Sequence, residues 1–135
     1  MNPIHKSEYL FLFRGPENEK DLSPADLQRV MTEFIRWVNT VSDQGILKGS
    51  NPLERRGKVL KGKTGEIITD GPYIESKEFV GGYFLLAVES MEEALEIAKG
   101  YPLFEFGWSL EIREVAEMCS MIKRAFDANP AAFAI

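Results

Sequence analysis

TDGPYIESKEFVGGYFLLAV, residues 69–88, runs through a turn, a charged stretch, a glycine pair and six successive apolar residues without a break. Asp70-Gly71-Pro72 has the chemistry of a tight turn: aspartate accepts backbone N–H bonds, glycine tolerates unusual dihedrals, and proline fixes φ. Tyr83–Glu89 then reads as a strand. A strand with one face in water alternates apolar and polar residues. Tyr83–Val88 does not, and neither does Tyr9–Phe13, so both sides of both strands favour leaving water. Trp108–Val115 does alternate, with Trp108, Leu110 and Ile112 to one side and Ser109, Glu111 and Arg113 to the other.

Around these strands the chain shows a strand–helix–strand rhythm twice. Tyr9–Arg14 is a first strand, bounded by Gly15-Pro16. Ser23-Pro24-Ala25-Asp26 is a helix start: serine caps, proline suits the first helical position, and Asp26 faces the positive end of the dipole. Leu27, Val30, Met31, Phe34, Ile35, Val38 and Val41 fall on one helical stripe, which Gly45 ends. Residues 46–53, 57–61 and 66–69 read as short strands, with a hairpin tip around Lys58, Lys61 and Lys63. Ser90–Glu93 has capping-box chemistry and opens a second helix over Ala94, Leu95 and Ala98, stopped by Gly100 and Pro102. A last helix over 116–128 places Met118, Met121, Ile122, Ala125 and Phe126 on one face.

Two such units point to an α+β ferredoxin-like sandwich, an antiparallel sheet with helices on one face. The domain is expected over residues 1–115, with 116–135 a C-terminal helix and apolar tail added to it. That architecture leaves the other sheet face bare. At roughly 25 cal/mol per Å², its aromatic and aliphatic side chains represent several kcal/mol of unrealised burial. A patch of this kind marks an interface or a ligand cavity. The C-terminal helix is one possible cover; a second copy packed sheet to sheet is the simpler one, because most soluble oligomers are symmetric dimers. The expectation is a homodimer through the sheet face, enclosing a cavity.

The chain's 135 residues, 44% hydrophobic and 27% charged, suit one soluble domain that folds without disulfide or metal. A net charge of −5 with no basic stripe argues against nucleic acid as partner. No segment approaches the roughly 20 apolar residues of a membrane span, and the N-terminal apolar run is too short for a signal peptide. A single cysteine, Cys119, fits a reducing compartment, so a cytoplasmic location is expected. Lying in a helix beside a methionine stripe, Cys119 reads as a small buried hydrophobe rather than a nucleophile. No cluster has metal-ligand spacing. Gly81-Gly82 lacks the helix and lysine-serine pair of a phosphate loop and fits close backbone approach instead. Neither a metal nor a nucleotide cofactor is expected.

Thr69-Asp70-Gly71-Pro72-Tyr73, Glu75-Ser76-Lys77-Glu78 and Gly81-Gly82-Tyr83 together resemble the signature of the YCII-related, DGPF-domain family. The likeness covers about residues 8–115, including the Ser23-Pro24 helix and Pro102–Gly107 leading into Ser109–Val115. It implies a dimeric α/β barrel of two ferredoxin-like subunits with a small-molecule cleft near the motif. Related dimeric-barrel families include cofactor-free oxygenases and a dechlorinating enzyme of aromatic breakdown. This chain departs from the family in two places. Some relatives use a histidine on the first helix and an aspartate just before a proline; the counterparts here are Asp26 and Tyr101, and the lone histidine, His5, lies outside the match. Trp108 stands where many relatives have a second glycine, which would narrow an adjacent cavity.

Two readings of Asp70 stand side by side. At a strand end facing an apolar cavity its pKa would rise and it would serve as acid or base near neutral pH; as an Asx-type turn residue it would only hold backbone N–H groups. Gly71, Pro72, Tyr73 and Trp108 would shape the pocket, and Glu75, Lys77 and Glu78 would form its charged rim or merely a solvated hairpin edge. Arg14, Glu111 and Arg113 read as surface pairs ahead of cleft residues. The resulting expectation is a protein that binds an unidentified small organic molecule beside this motif. If it is an enzyme, the chemistry is cofactor-free acid/base work of a lyase, isomerase or oxygenase kind; the alternative is a non-catalytic ligand-sensing or interaction module.

Overall fold

The computed structural model describes residues 6–71 and 78–133. Among these residues six strands and three α-helices follow in order: β1 (Ser7–Pro16), α1 (Pro24–Asp43), β2 (Leu47–Pro52), β3 (Gly57–Lys61), β4 (Ile67–Gly71), β5 (Glu78–Val88), α2 (Met91–Ala98), β6 (Ser109–Glu114) and α3 (Ser120–Ala128). Strands β2-β5-β1-β6 form one antiparallel sheet in that order, and β3 and β4 pair as a separate hairpin. Each strand–helix–strand unit thus inserts a strand of the other between its own two, which is the ferredoxin-like arrangement.

Alternation along the central strands fixes the layers. Tyr9, Phe11 and Phe13 of β1 and Phe84, Leu86 and Val88 of β5 are buried, and they meet Trp37 and Val41 of α1 and Ala94 and Ala98 of α2. The helices start where the sequence says they should. Ser23 Oγ accepts the Asp26 N–H at 3.1 Å, and Ser90 Oγ accepts the Glu93 N–H at 3.1 Å. Glu93 reaches back to the Glu89 N–H at 2.9 Å, so both ends of that cap are satisfied.

Three elements differ from expectation. On α1 the buried stripe runs through Val30, Trp37 and Val41, and Ile35 is 59% exposed. Steps of 100° per residue put Phe34 and Ile35 on different faces, and the Trp37 indole wins the core because its N–H reaches the Ile97 carbonyl at 3.0 Å. Strand β5 begins at Glu78, well before Tyr83, because the glycine pair continues the pairing with β1. Phe13 lies opposite Gly82 and Arg14 opposite Val80, so Gly81 is the extra residue of a β-bulge. Cys119 is not a buried hydrophobe: it is exposed, immediately before the first turn of α3. The helix starts at Ser120 rather than near 116, and no side-chain cap forms at Cys119.

The outer sheet face carries Leu10 and Leu12 of β1, which pair with Leu85 and Tyr83 of β5, and all four are half-buried. The C-terminal helix does not cover them in the subunit, since every residue from 113 to 131 is exposed. Arg14 bonds Glu111 at 3.1 Å on that same face. Gly62 and Gly65, at φ 96° and 70°, make the left-handed turns of the β3–β4 tip. Among the described residues no helix is long and apolar enough to cross a membrane.

Candidate functional site

Trp108 organises the concave side of the fold. It precedes β6, and its indole lies against two glycines: a Cβ at Gly15 would sit 1.9 Å from the ring, and one at Gly81 would sit 3.0 Å from it. Phe79 meets the indole edge to face at 5.4 Å, and the indole N–H points to Asn18 Oδ1 at 3.4 Å. Gly82 serves a different approach, with its virtual Cβ 2.9 Å from the Asn51 carbonyl oxygen of β2. The glycine pair therefore fits close packing, one member under an indole and the other under a neighbouring backbone.

Beside Trp108 a cavity of about 350 Å³ opens between α1, the β2–β5 edge of the sheet and the 3₁₀ turn Pro102–Phe106. That volume lies in the usual range for small-molecule pockets. Aromatic rings make much of its wall: Phe13, Phe34, Tyr101 and Trp108. Phe13 and Tyr101 are 5.0 Å apart, and Phe34 stands edge-on to Phe13 at 6.4 Å. Ser50 and Asn51 sit on the exposed β2 side, where the Asn51 side chain donates to the Tyr83 hydroxyl at 2.9 Å. Among the described residues the wall holds no Asp, Glu, Lys, Arg or His. Tyr101 is 4% exposed, and burial pushes its phenol well above the ordinary tyrosine range.

Arg29 ties the turn to α1. It makes two bonds to Glu105, at 3.0 and 2.9 Å, while also meeting Glu33 and Asp26 at 3.5 Å. Asn18 donates to the Phe106 carbonyl at 2.8 Å from the other side. A second concavity, lined by Asn18, Leu27, Arg55 and Phe79 among others, adjoins the first, and Trp108 borders both.

The residues expected to form a site are dispersed by the fold. Asp70 lies in β4 opposite Lys58, forms an ion pair with it, and has a side chain 85% exposed. In the subunit Asp70 therefore stands in solvent on the hairpin and not against an apolar cavity. Gly71 pairs with Gly57, and both border a shallow surface with Arg56, Lys58 and Asp70 rather than the aromatic cavity. Glu78 opens β5 opposite Pro16 and is exposed. Trp108 alone among the described candidates lines the cavity. Pro72, Tyr73, Glu75 and Lys77 lie outside the described residues. Sequence reasoning missed Tyr101 and Phe34 as cavity residues, although the resemblance already set Tyr101, just before Pro102, against an aspartate of some relatives. Among the described residues no group of three or more His, Cys, Asp or Glu side chains is placed to hold a metal ion.

An antiparallel four-stranded sheet with both packed helices on one side and an aromatic cavity at its edge defines a small ferredoxin-like α+β domain. Residues 9–119 match the YCII-related domain, and the chain belongs to that family. Among solved structures it is similar to 5-chloro-2-hydroxyhydroquinone dehydrochlorinase from Burkholderia phenoliruptrix AC1100, solved in complex with 2,5-dihydroxybenzoquinone. The identity is 10% over 82% of this chain and 95% of that one, with a TM-score of 0.49. Comparison with curated proteins finds no match.

Proposed function

We propose that this protein is a cytoplasmic homodimer that binds a small organic molecule in the cavity beside Trp108. The observation that carries the reading is the cavity itself: about 350 Å³, walled by aromatic rings, with a few neutral polar groups. Such a combination is the usual form of a small-molecule site. The half-buried outer row of Leu10, Leu12, Tyr83 and Leu85 supports pairing of two subunits through the sheet.

Asp70 is the proposed acid or base of any reaction, and Gly71, Pro72, Tyr73, Glu75, Lys77 and Glu78 are the proposed substrate-binding residues together with Trp108. That role requires a second subunit to exclude water from the carboxylate, because in one subunit it is exposed and paired with Lys58. The same exposure favours a second reading, a binding or sensing module without catalysis. A panel of small organic compounds screened by thermal shift identifies binders, and Asp70→Asn then separates the readings. Loss of turnover at an unchanged melting temperature supports acid/base chemistry. Binding that is unaltered, with no turnover in either protein, supports the sensing module. A panel without a single binder, confirmed by NMR, refutes the small-molecule reading.

A further inference from the structure

The Tyr101 side chain combines features that seldom occur together without a ligand. It is 4% exposed and lines the aromatic cavity, yet among the described residues its hydroxyl has no hydrogen-bond partner. It is not sealed in protein either, because Thr69 Oγ1 is the one enclosed side-chain polar atom without a partner among those residues. The hydroxyl therefore keeps some exposure, on a side chain that lines the cavity. Without a partner among the described residues, it is free to bond a guest in place of water.

The neighbours narrow the chemistry. Phe13 and Phe104 flank the Tyr101 ring at 5.0 and 5.1 Å, and Phe34 lies at 6.2 Å. Rings arranged this way offer faces and edges to a flat aromatic guest. No ionic side chain of the described wall compensates a charged guest, whose desolvation in such a space is prohibitive. Burial keeps the phenol protonated throughout the physiological range, so the hydroxyl has a proton to donate to a guest's acceptor.

We infer that Tyr101 is a specificity-determining residue and that the cavity selects neutral, planar aromatic compounds bearing a hydrogen-bond acceptor, such as an aryl ketone, for its hydroxyl. The inference rests on the proposed small-molecule role of this cavity and adds the class of compound. A hydroxyl–carbonyl bond formed away from water corresponds to roughly tenfold in affinity.

The test uses two probes of nearly the same shape, acetophenone and α-methylstyrene, in which a methylene group replaces the carbonyl oxygen. Binding is followed by ¹H–¹⁵N NMR titration, with the Trp108 indole N–H as a reporter at the cavity wall. The wild-type protein is expected to favour acetophenone by roughly tenfold more than the ratio of the two compounds' water–octanol partition coefficients predicts. Tyr101→Phe should abolish that excess while leaving α-methylstyrene affinity unchanged. The wild-type excess is measured without any variant, so misfolding of Tyr101→Phe cannot hide a negative result. If both probes bind in proportion to their partitioning, the selectivity inference is wrong while the cavity remains a binding site. If neither probe shifts the indole signal, the binding role of the cavity fails and the inference falls with it.

Discussion

Gly15→Ala tests the packing that shapes the cavity wall. The added Cβ would lie 1.9 Å from Trp108 Cδ2 and 2.3 Å from Cε2. Carbon atoms rest at about 3.5 Å or more, so the indole or the strand must retreat by about 1.6 Å. Overpacking of this size costs about 3 kcal/mol, at the upper end of the usual range, because both a backbone and a ring are in the way. Trp108→Ala alone should cost about 2–3 kcal/mol, less than for a fully buried tryptophan, since Trp108 is half-buried. In the Trp108→Ala background the three atoms nearest the methyl at position 15 are gone, and Gly15→Ala should be neutral or slightly stabilising, as alanine suits a strand better than glycine. The double-mutant cycle should therefore show a coupling of about 3 kcal/mol. Urea unfolding followed by circular dichroism, at one protein concentration for all four proteins, measures it. Destabilisations that add to within about 0.5 kcal/mol would show that the indole does not rest on Gly15, and the shape assigned to the cavity would be wrong.

Leu85→Glu places a charge in the middle of the outer apolar row, opposite Leu10. The variant should keep its circular dichroism spectrum and sediment as a monomer; a dimer of unchanged stability would move the interface elsewhere. Removal of residues 116–135 takes away Met118 and the helix α3 with its Met121, Ile122 and Phe126, side chains that are 41–76% exposed. If those side chains wrap the second subunit, the truncated protein should dissociate at protein concentrations where the full chain is dimeric. Equal dissociation constants for the two would show that the helix serves another partner.

The fold was legible in the sequence wherever short-range chemistry decides structure. Ser23 and Ser90 announce helix starts through their caps, and the Gly62 and Gly65 turn is written in residues that tolerate positive φ. Alternation in Ser109–Glu114 named the core side of β6 correctly, with Leu110 and Ile112 packed against the core. Long-range competition was not legible. Periodicity admits both Ile35 and Trp37 on α1, and only a carbonyl sixty residues away decides in favour of the tryptophan. The candidate site suffered most. Asp70 and Trp108 belong to one reading of the motif, yet the pairing of Asp70 with Lys58 holds it on a hairpin that forms its own sheet. Tyr101 carried no local signal except its place before Pro102, because what singles it out is its place in the wall of a cavity that exists only once the chain has folded.

The bulge at Gly81 resets the parity of β5. Counted back from Phe84 and Gly82 in an unbroken strand, residue 80 would face the helices and residue 79 would face outward. The inserted glycine reverses that order, placing Val80 beside Arg14 and turning Phe79 inward to meet Trp108. One strand therefore uses two phases, one to fill the core and the other to wall the second concavity beside Trp108. Deleting a single glycine would send the whole N-terminal half of β5 to the wrong side, exchanging an aromatic wall for a valine without altering one amino acid of either.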